Sequence, residues 1–522
     1  MDKLTTSQFL SSLQKRQISI GVKDGRLQIN APAGAIDSQL HAELLRRKPE
    51  LLAFLKASTS FYQPLTPRET DSGRIPQTPA QQGLWLVNHH DPGNVAYNIP
   101  EAFLIETEID RVAIQNSINQ LLARHQILRT GFFEEDGDLF QSISEEAEAD
   151  VEFIDLSSFP EHERDQRLRD MIGEQARKPF DLKRPPLLRV VLFQLHQQKH
   201  ALYWCIHHIV ADRKSLDVLL EELIALYQAA TGSEPANLPD NSLQYADYAV
   251  WSTKRMNSEA IEKQIRYWKR KLTGTPPFLE LPHTHPYPKR RTSWGAALPF
   301  AIPDSLRKSL DQLGLEERAT PFITFLATLA LLLHLSSGAE DFCIGSPITN
   351  RTDMVTERMI GPFVNMLAFR CQLTPEHTFR EILRRIRDTA IEAYDNSEVP
   401  FQKLVRALKP DRRSGRSPIF QVMLGFESYQ PTTRVLRQIN TNPGTARYDL
   451  TLNLIENGRE ITGSFEYCTD IFDESDIKNL IGKFAIVLKI AEQPDRPISS
   501  FQLDGPYSKI TIDEPKAESA KY

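Results

Sequence analysis

Cysteine is scarce in this chain. Four thiols stand among 522 residues, Cys205, Cys343, Cys371 and Cys468, far apart and without CxxC or metal-ligand spacing. That excludes a disulfide framework and a cysteine-based metal site, and all four read as reduced core residues. No run of about 18 uncharged apolar residues is present, so no membrane span is expected. The longest apolar run, Phe322 to Leu335, is about half to two-thirds of a span and reads as a buried core helix. The amino-terminal MDKLTTSQFLSSLQKRQ lacks the apolar core of a signal peptide, which points to a cytoplasmic protein. A net charge of −6 and a pI near 6.2, with Lys and Arg scattered rather than striped, provide no basic field for nucleic acid. A P-loop and a Gly-rich dinucleotide fingerprint are also missing.

What is present is a pair of histidines followed at a fixed distance by an acid, His207-His208-Ile209-Val210-Ala211-Asp212. It follows Ala201-Leu202-Tyr203-Trp204-Cys205-Ile206, a buried-strand pattern, so the pair stands where a strand gives way to a loop. A histidine there offers a mostly neutral imidazole, able to accept a proton or a hydrogen bond beside a nucleophile. That chemistry suits acyl transfer. Neighbours on an extended segment point opposite ways, so one histidine faces the site and the other the interior.

Six further stretches accompany this one in order: TPAQQGLWLV (Thr78 to Val87), ARHQILRTGF (Ala123 to Phe132), YADYAVW (Tyr245 to Trp251), IGPFVNMLAFR (Ile360 to Arg370), VPFQKLV (Val399 to Val405) and SPIFQVML (Ser417 to Leu424). Together with IHHIVADRKS (Ile206 to Ser215), they resemble the condensation domains of nonribosomal peptide synthetases. The resemblance implies an α/β (α+β) fold of two chloramphenicol-acetyltransferase-like lobes, a V-shaped pseudo-dimer with a central tunnel. The length allows it, since 522 residues exceed one ordinary core of about 250 to 300. The first lobe is expected over 76–250, an inter-lobe helix over 251–274, and the second lobe over 275–505. Its Pro-rich opening, TGTPPFLELPHTHPYPKRR (Thr273 to Arg291), suits an ordered crossing segment.

The first 56 residues read separately. Phe9, Leu10 and Leu13 recur at helical spacing; Ile18 to Val22 and Arg26 to Ile29 alternate around Lys23-Asp24-Gly25, a hairpin-turn signal. Ala31-Pro32-Ala33-Gly34 breaks the chain, and Asp37 or Ser38 can cap a helix bearing Leu40, Leu44, Leu45, Leu51, Leu52 and Leu55. This helix-hairpin-helix order resembles the docking domains of tubulysin-synthetase (TubC) type. The resemblance implies capture of an upstream synthase's C-terminal tail, an acidic one, on the open hairpin edge. Lys23, Arg26, Arg46, Arg47 and Lys48 are the candidate cations for it. Residues 57–75 read as a linker and 506–522 as a polar tail.

In the catalytic body the resemblance makes His208 the central residue, steadying the attacking amine or hydroxyl, or deprotonating it, against a thioester carbonyl. His207 is then structural, Asp212 pairs with Arg351 across the fold, and Arg129 braces the first lobe. Arg213, Ser215 and Asn365 are candidates for the tunnel. Where the family writes HHxxxDG, this chain has Arg213. If the glycine needs φ > 0 or leaves room for the carrier arm, arginine strains the loop or narrows the entrance; alternatively Arg213 greets a phosphate or carboxylate at the mouth.

No adenylation signature and no carrier-attachment serine motif accompany these stretches, so substrates are expected on the 4'-phosphopantetheine of carrier proteins in trans. No intrinsic cofactor and no metal are expected. The chain is then a free-standing condensation protein or the front of a longer synthetase, acting as a monomer. Amide formation is the leading expectation; ester formation with a hydroxyl acceptor and a noncatalytic recruitment module are the alternatives.

Overall fold

The computed structural model describes residues 19–23, 26–30, 38–52, 65–69, 73–232, 235–351, 354–410, 416–428, 436–439, 441, 443–458 and 460–501. Two compact units divide it, Met1–Thr66 and Pro67–Tyr522. In the first, β1 (Ser19–Lys23) and β2 (Arg26–Asn30) form an antiparallel hairpin in the register Ser19↔Asn30 and Lys23↔Arg26. Helix α1 (Ser38–Arg46) follows, and residues 48–52 are helical again. Leu40, Leu44 and Leu51 are buried, an apolar stripe of the kind a helix turns inward. The expected helix around Phe9 to Leu13, the Asp24-Gly25 turn, the Ala31–Gly34 break, Asp37, Leu55, residues 57–64 and 70–72 of the linker and the tail 506–522 lie outside the described residues.

The second unit is a mixed α/β body. Its first half runs β3 (Ile75–Pro76), α2 (Pro79–His90), β4 (Asn98–Ile105), α3 (Arg111–Arg124), β5 (Thr130–Glu135), β6 (Asp138–Ile143), β7 (Val151–Asp155), α4 (Glu161–Ala176), β8 (Leu188–His196), β9 (Lys199–His207) and α5 (Arg213–Thr231). Two helices follow, α6 (Tyr245–Arg255) and α7 (Glu259–Leu272). The stretch expected as one helix over 251–274 is therefore divided, because Ser258 caps a new helix by accepting from the Ile261 N–H. The second half contains β10 (Gly295–Ile302), α8 (Asp304–Glu316), α9 (Pro321–Ser337), β11 (Asp341–Thr349), β12 (Val364–Gln372), α10 (Phe379–Asp395), α11 (Phe401–Leu408), β13 (Val422–Ser428), β14 (Arg437–Ile439), β15 (Leu450–Asn457), β16 (Glu460–Cys468) and α12 (Glu474–Ile490).

Each half is organised on its own main sheet, ordered β14-β4-β9-β8-β7 in the first and β10-β16-β15-β13-β11-β12 in the second. Strand β9 is central, flanked antiparallel by β4 and β8. From His200 to His207 it is buried throughout, which explains why its sequence is continuously apolar rather than alternating. Helix α9 is apolar all round because it is core: Phe325, Leu326, Leu329 and Leu332 have almost no exposure. No single helix among the described residues is long and apolar enough to cross a membrane. All four cysteines are buried with free thiols.

The two halves exchange material. Strand β14, from the second half, pairs antiparallel with β4 in the register Gln438↔Phe103 and extends the first half's sheet. Nothing in the sequence patterning indicated a three-residue strand there.

Candidate active site

Three of the seven sequence stretches meet where the halves join. The Tyr245 hydroxyl on α6 lies 3.0 Å from Thr78 Oγ1 and donates to the Pro362 carbonyl at 2.9 Å. Its ring stands edge-on to Phe363 at 5.1 Å. Gly361 is required there, since a Cβ would lie 1.9 Å from the Tyr245 ring. Stretch VPFQKLV joins through Asn365, whose amide donates to the carbonyls of Ser397 and Val399 (2.9 and 2.8 Å) and accepts from the Phe401 N–H at 3.0 Å.

Against this seam β9 ends. The backbone N–H of His207 donates to Leu187 and that of His208 to Tyr97, at 3.1 and 2.8 Å, so the ladder on both sides holds the pair. The chain then turns, with the Val210 N–H on the His207 carbonyl. Asp212 caps α5 by accepting from the Ser215 N–H at 2.9 Å. Beside that turn the two imidazoles take different partners. His207 is buried, accepts the Ile209 N–H at 3.1 Å on Nδ1 and sits edge-on to Phe180.

His208 is partly buried, and its Nδ1 lies 2.8 Å from the Ala211 carbonyl. A carbonyl only accepts, so Nδ1 carries the proton and Nε2 presents its lone pair. Burial, and after it the Arg447 cation, push this imidazole down to about 4 against the pull of Asp212. Burial holds His207 lower still, at about 3. At neutral pH His208 is therefore a neutral acceptor of fixed tautomer.

Those depressed values make a prediction. Both histidines bind more protons unfolded, with pKa values near 6.5, than folded, so stability falls as pH drops from about 6.5 to about 4 for His208 and to about 3 for His207. By pH 5 the pair removes on the order of 2–4 kcal/mol. Carboxyls lifted by burial, such as Glu101, act in the opposite direction. The check is therefore urea unfolding at pH 7.5 and 5.0 against the His207→Gln/His208→Gln double variant, which should lose most of the difference.

Beneath His208 lies a buried charge network. Asp212 and Arg351 pair at 2.8 Å with side chains 2% and 1% exposed. The carboxylate also accepts from Ser215 Oγ at 2.7 Å and the Phe363 N–H at 3.2 Å. Arg351 donates to the Thr356 and Met359 carbonyls and lies over the Phe363 ring.

Residues 71–509 match the family model of the condensation domain. The chain belongs to the condensation-domain family. Residues 7–57 match the model of the TubC N-terminal docking domain. A linear gramicidin synthase from Brevibacillus parabrevis is 36% identical over 463 residues, covering 87% of this chain and 6% of that protein. Phosphinothricin tripeptide synthetase PhsC from Streptomyces viridochromogenes is 32% identical over 435 residues, covering 82% and 40%. This chain thus spans only a small part of such synthetases. Among solved structures, the X-domain in its complex with OxyB from teicoplanin biosynthesis superposes with a TM-score of 0.77 at 26% identity, over 85% of this chain and 98% of that one. The first condensation domain of the calcium-dependent antibiotic synthetase shares the fold, with a TM-score of 0.70 at 21% identity over 82% and 99%.

Several expectations about this condensation domain need correction. Arg213 is the first residue of α5 and is not among the residues with positive φ, so the loop is not strained by lacking glycine. Its guanidinium pairs with Glu101 on β4 and with Asp217 one turn along, with 39% of the side chain still exposed. Glu101 is buried and also accepts from Trp204 Nε1 at 3.0 Å. Removing Arg213 strands that carboxylate. Arg213→Gly should cost about 1–3 kcal/mol in denaturant unfolding, less than for a fully buried pair because the arginine is partly exposed. Glu101→Gln in the same chain should restore most of it.

Ser215 is fully buried and lines no open tunnel, being locked between Asp212, Arg351 and the Gly361 N–H. Asn365 does line a cavity, with Thr78, Tyr248, Phe363 and Phe401, but His208 is not on its wall. Arg129 donates to the carbonyls of Ser144 and Glu145 within the first half. In the docking unit Arg46 and Arg47 both bind Glu43, and Arg47 is only 6% exposed, which withdraws it from the surface; Lys48 is exposed. Lys23 and Arg26 face each other across the hairpin register, and their side chains lie outside what is described. The sequence reading missed Glu101, Tyr97 and Arg447. A lone acid inside apolar NIPEAFLI was the signal for the first.

Proposed function

We propose that this condensation domain joins an acyl or peptidyl group, delivered as a thioester on the phosphopantetheine arm of a carrier protein, to an amine acceptor. The amine nitrogen attacks the thioester carbonyl, the C–N bond forms, the C–S bond breaks, and the carrier thiol leaves with a proton. The observation that supports this best is the His208 tautomer: Nδ1–H on Ala211 leaves the Nε2 lone pair to accept from the attacking amine. With its pKa near 4, His208 acts more by orienting the neutral amine than by storing its proton. The amine becomes acidic once it is bonded to the carbonyl carbon, and Nε2 can then relay its proton to the departing thiolate.

The hairpin β1–β2 forms a two-stranded sheet, and we assign it the capture of an upstream synthase tail by strand addition. Such capture raises the local carrier concentration to roughly the mM range. The protein works as a cytoplasmic monomer in this reading, on an acceptor that is either free or carrier-bound.

The test is intact-mass spectrometry of an acyl-loaded upstream carrier bearing its own C-terminal tail, incubated with the full chain and panels of amine and alcohol acceptors. An amide product supports the proposal, and an ester product replaces the acceptor class. The likeness to an X-domain in complex with OxyB favours one rival, recruitment of a partner enzyme. Tail binding without transfer to any acceptor would favour that rival.

A further inference from the structure

His208 belongs to the first half of the body, yet a side chain from the second half grips the segment that holds its backbone. Arg447 precedes β15, and the loop behind it is pinned. Arg291 pairs with Asp449 at 3.1 Å and donates to the carbonyls of Ala446 and Arg447. Tyr287 donates to Asp449 at 3.1 Å, and the Ala446 N–H bonds Ser293 at 2.9 Å. On the other side of the seam, Arg447 Nε donates to the Ala96 carbonyl at 2.9 Å, and its guanidinium lies 5.1 Å from the Tyr97 ring centroid. Tyr97 is the residue whose carbonyl holds the His208 backbone N–H, and its ring lies 6.5 Å from the imidazole.

We infer that Arg447 is a positioning residue for the transfer reaction: it clamps the Ala96–Tyr97 segment on which His208 is hung and keeps a fixed cation beside the imidazole. This rests on the reading of His208 as the group that meets the amine. A cation nearby disfavours imidazolium and so preserves the Nε2 lone pair. The other charged or titratable groups in play are Asp212, which favours imidazolium, His207, which burial keeps neutral, and Glu466 on β16, which faces Arg447 and whose carboxyl burial lifts. Lysine would keep the charge but not the planar group that lies on Tyr97 while donating to Ala96. The two parts of the role are therefore separable.

The experiment uses the full chain with ¹³Cε1-labelled histidine, the His208 signal being assigned by its loss in His208→Ala. Wild type, Arg447→Gln and Arg447→Lys are titrated by NMR, and transfer is measured across the same pH range. In Arg447→Gln the His208 midpoint should rise by about one unit, a roughly tenfold gain in proton affinity. The acid limb of kcat should move up with it. Arg447→Lys should keep the wild-type midpoint but lose roughly tenfold in kcat with an unchanged acceptor KM, the cost of misplacement.

An unshifted midpoint in a folded Arg447→Gln protein overturns the inference. Should that variant not fold, Arg447→Lys decides alone, and wild-type kcat in it overturns the clamp. Undiminished transfer by His208→Ala would instead sink the reading of His208, while the NMR midpoints still judge Arg447.

Discussion

Replacing His208 by alanine should lower transfer by roughly 10²–10⁴-fold, the range for one positioned proton-handling group, with little change in melting temperature. The side chain is only partly buried and, among the described residues, its hydrogen bond is to Ala211; the backbone bond to Tyr97 survives the substitution. His207→Ala should behave in the opposite way. That ring is buried, accepts the Ile209 N–H and packs on Phe180. Its loss leaves a cavity and an unpaired donor, with a cost of about 1–3 kcal/mol. Measuring kcat by product mass and stability by urea unfolding for both variants separates the roles. Wild-type transfer by His208→Ala would remove the central residue from the proposal.

Asp212→Ala should be the most destabilising single change, at about 3–5 kcal/mol, because it strands a buried guanidinium. Arg351 would keep its carbonyl partners Thr356 and Met359 but lose its counter-charge, and Ser215 and Phe363 would lose their acceptor. Arg351→Met should cost a similar amount by stranding the carboxylate. The double variant Asp212→Leu/Arg351→Met should recover much of the loss, since replacing both members of a buried pair by apolar groups is often near neutral. A double-mutant cycle by urea denaturation measures the coupling; single variants within about 0.5 kcal/mol of wild type would contradict the network. Transfer should also fall in Asp212→Ala, because Asp212 caps the helix that follows Ala211, the acceptor of the His208 Nδ1 proton.

Sequence was informative wherever the physics is short-range. The run from Ala201 to Ile206 announced a strand buried on both faces, and the histidines fell at its end, where the unbroken apolar run stops. The alternation on either side of Asp24-Gly25 called for the hairpin whose strands pair from Ser19 to Asn30, whereas the helix that Asp212 caps was not read from the sequence. Arg351 as the partner of Asp212 came from the resemblance alone; no local rule relates two charges separated by 139 positions.

Where a side chain's partner lies on another element, the sequence was silent or misleading. Arg213 drew notice because it replaces the family's glycine, and the sequence did not show that Glu101, far back on β4, pairs with it. Ser215 looked available until the IGPF segment closed over it. Arg447 has no local sign of importance, and only the approach of one sheet's loop to the other sheet puts it on Ala96 and Tyr97, the segment that holds the His208 backbone. Period and turns are set by residues within a few positions of each other, so the sequence by itself determined the strand, the histidine pair at its end and the hairpin. Charge pairing and cross-sheet contact depend on which faces packing brings together, so only the tertiary structure decided what surrounds His208.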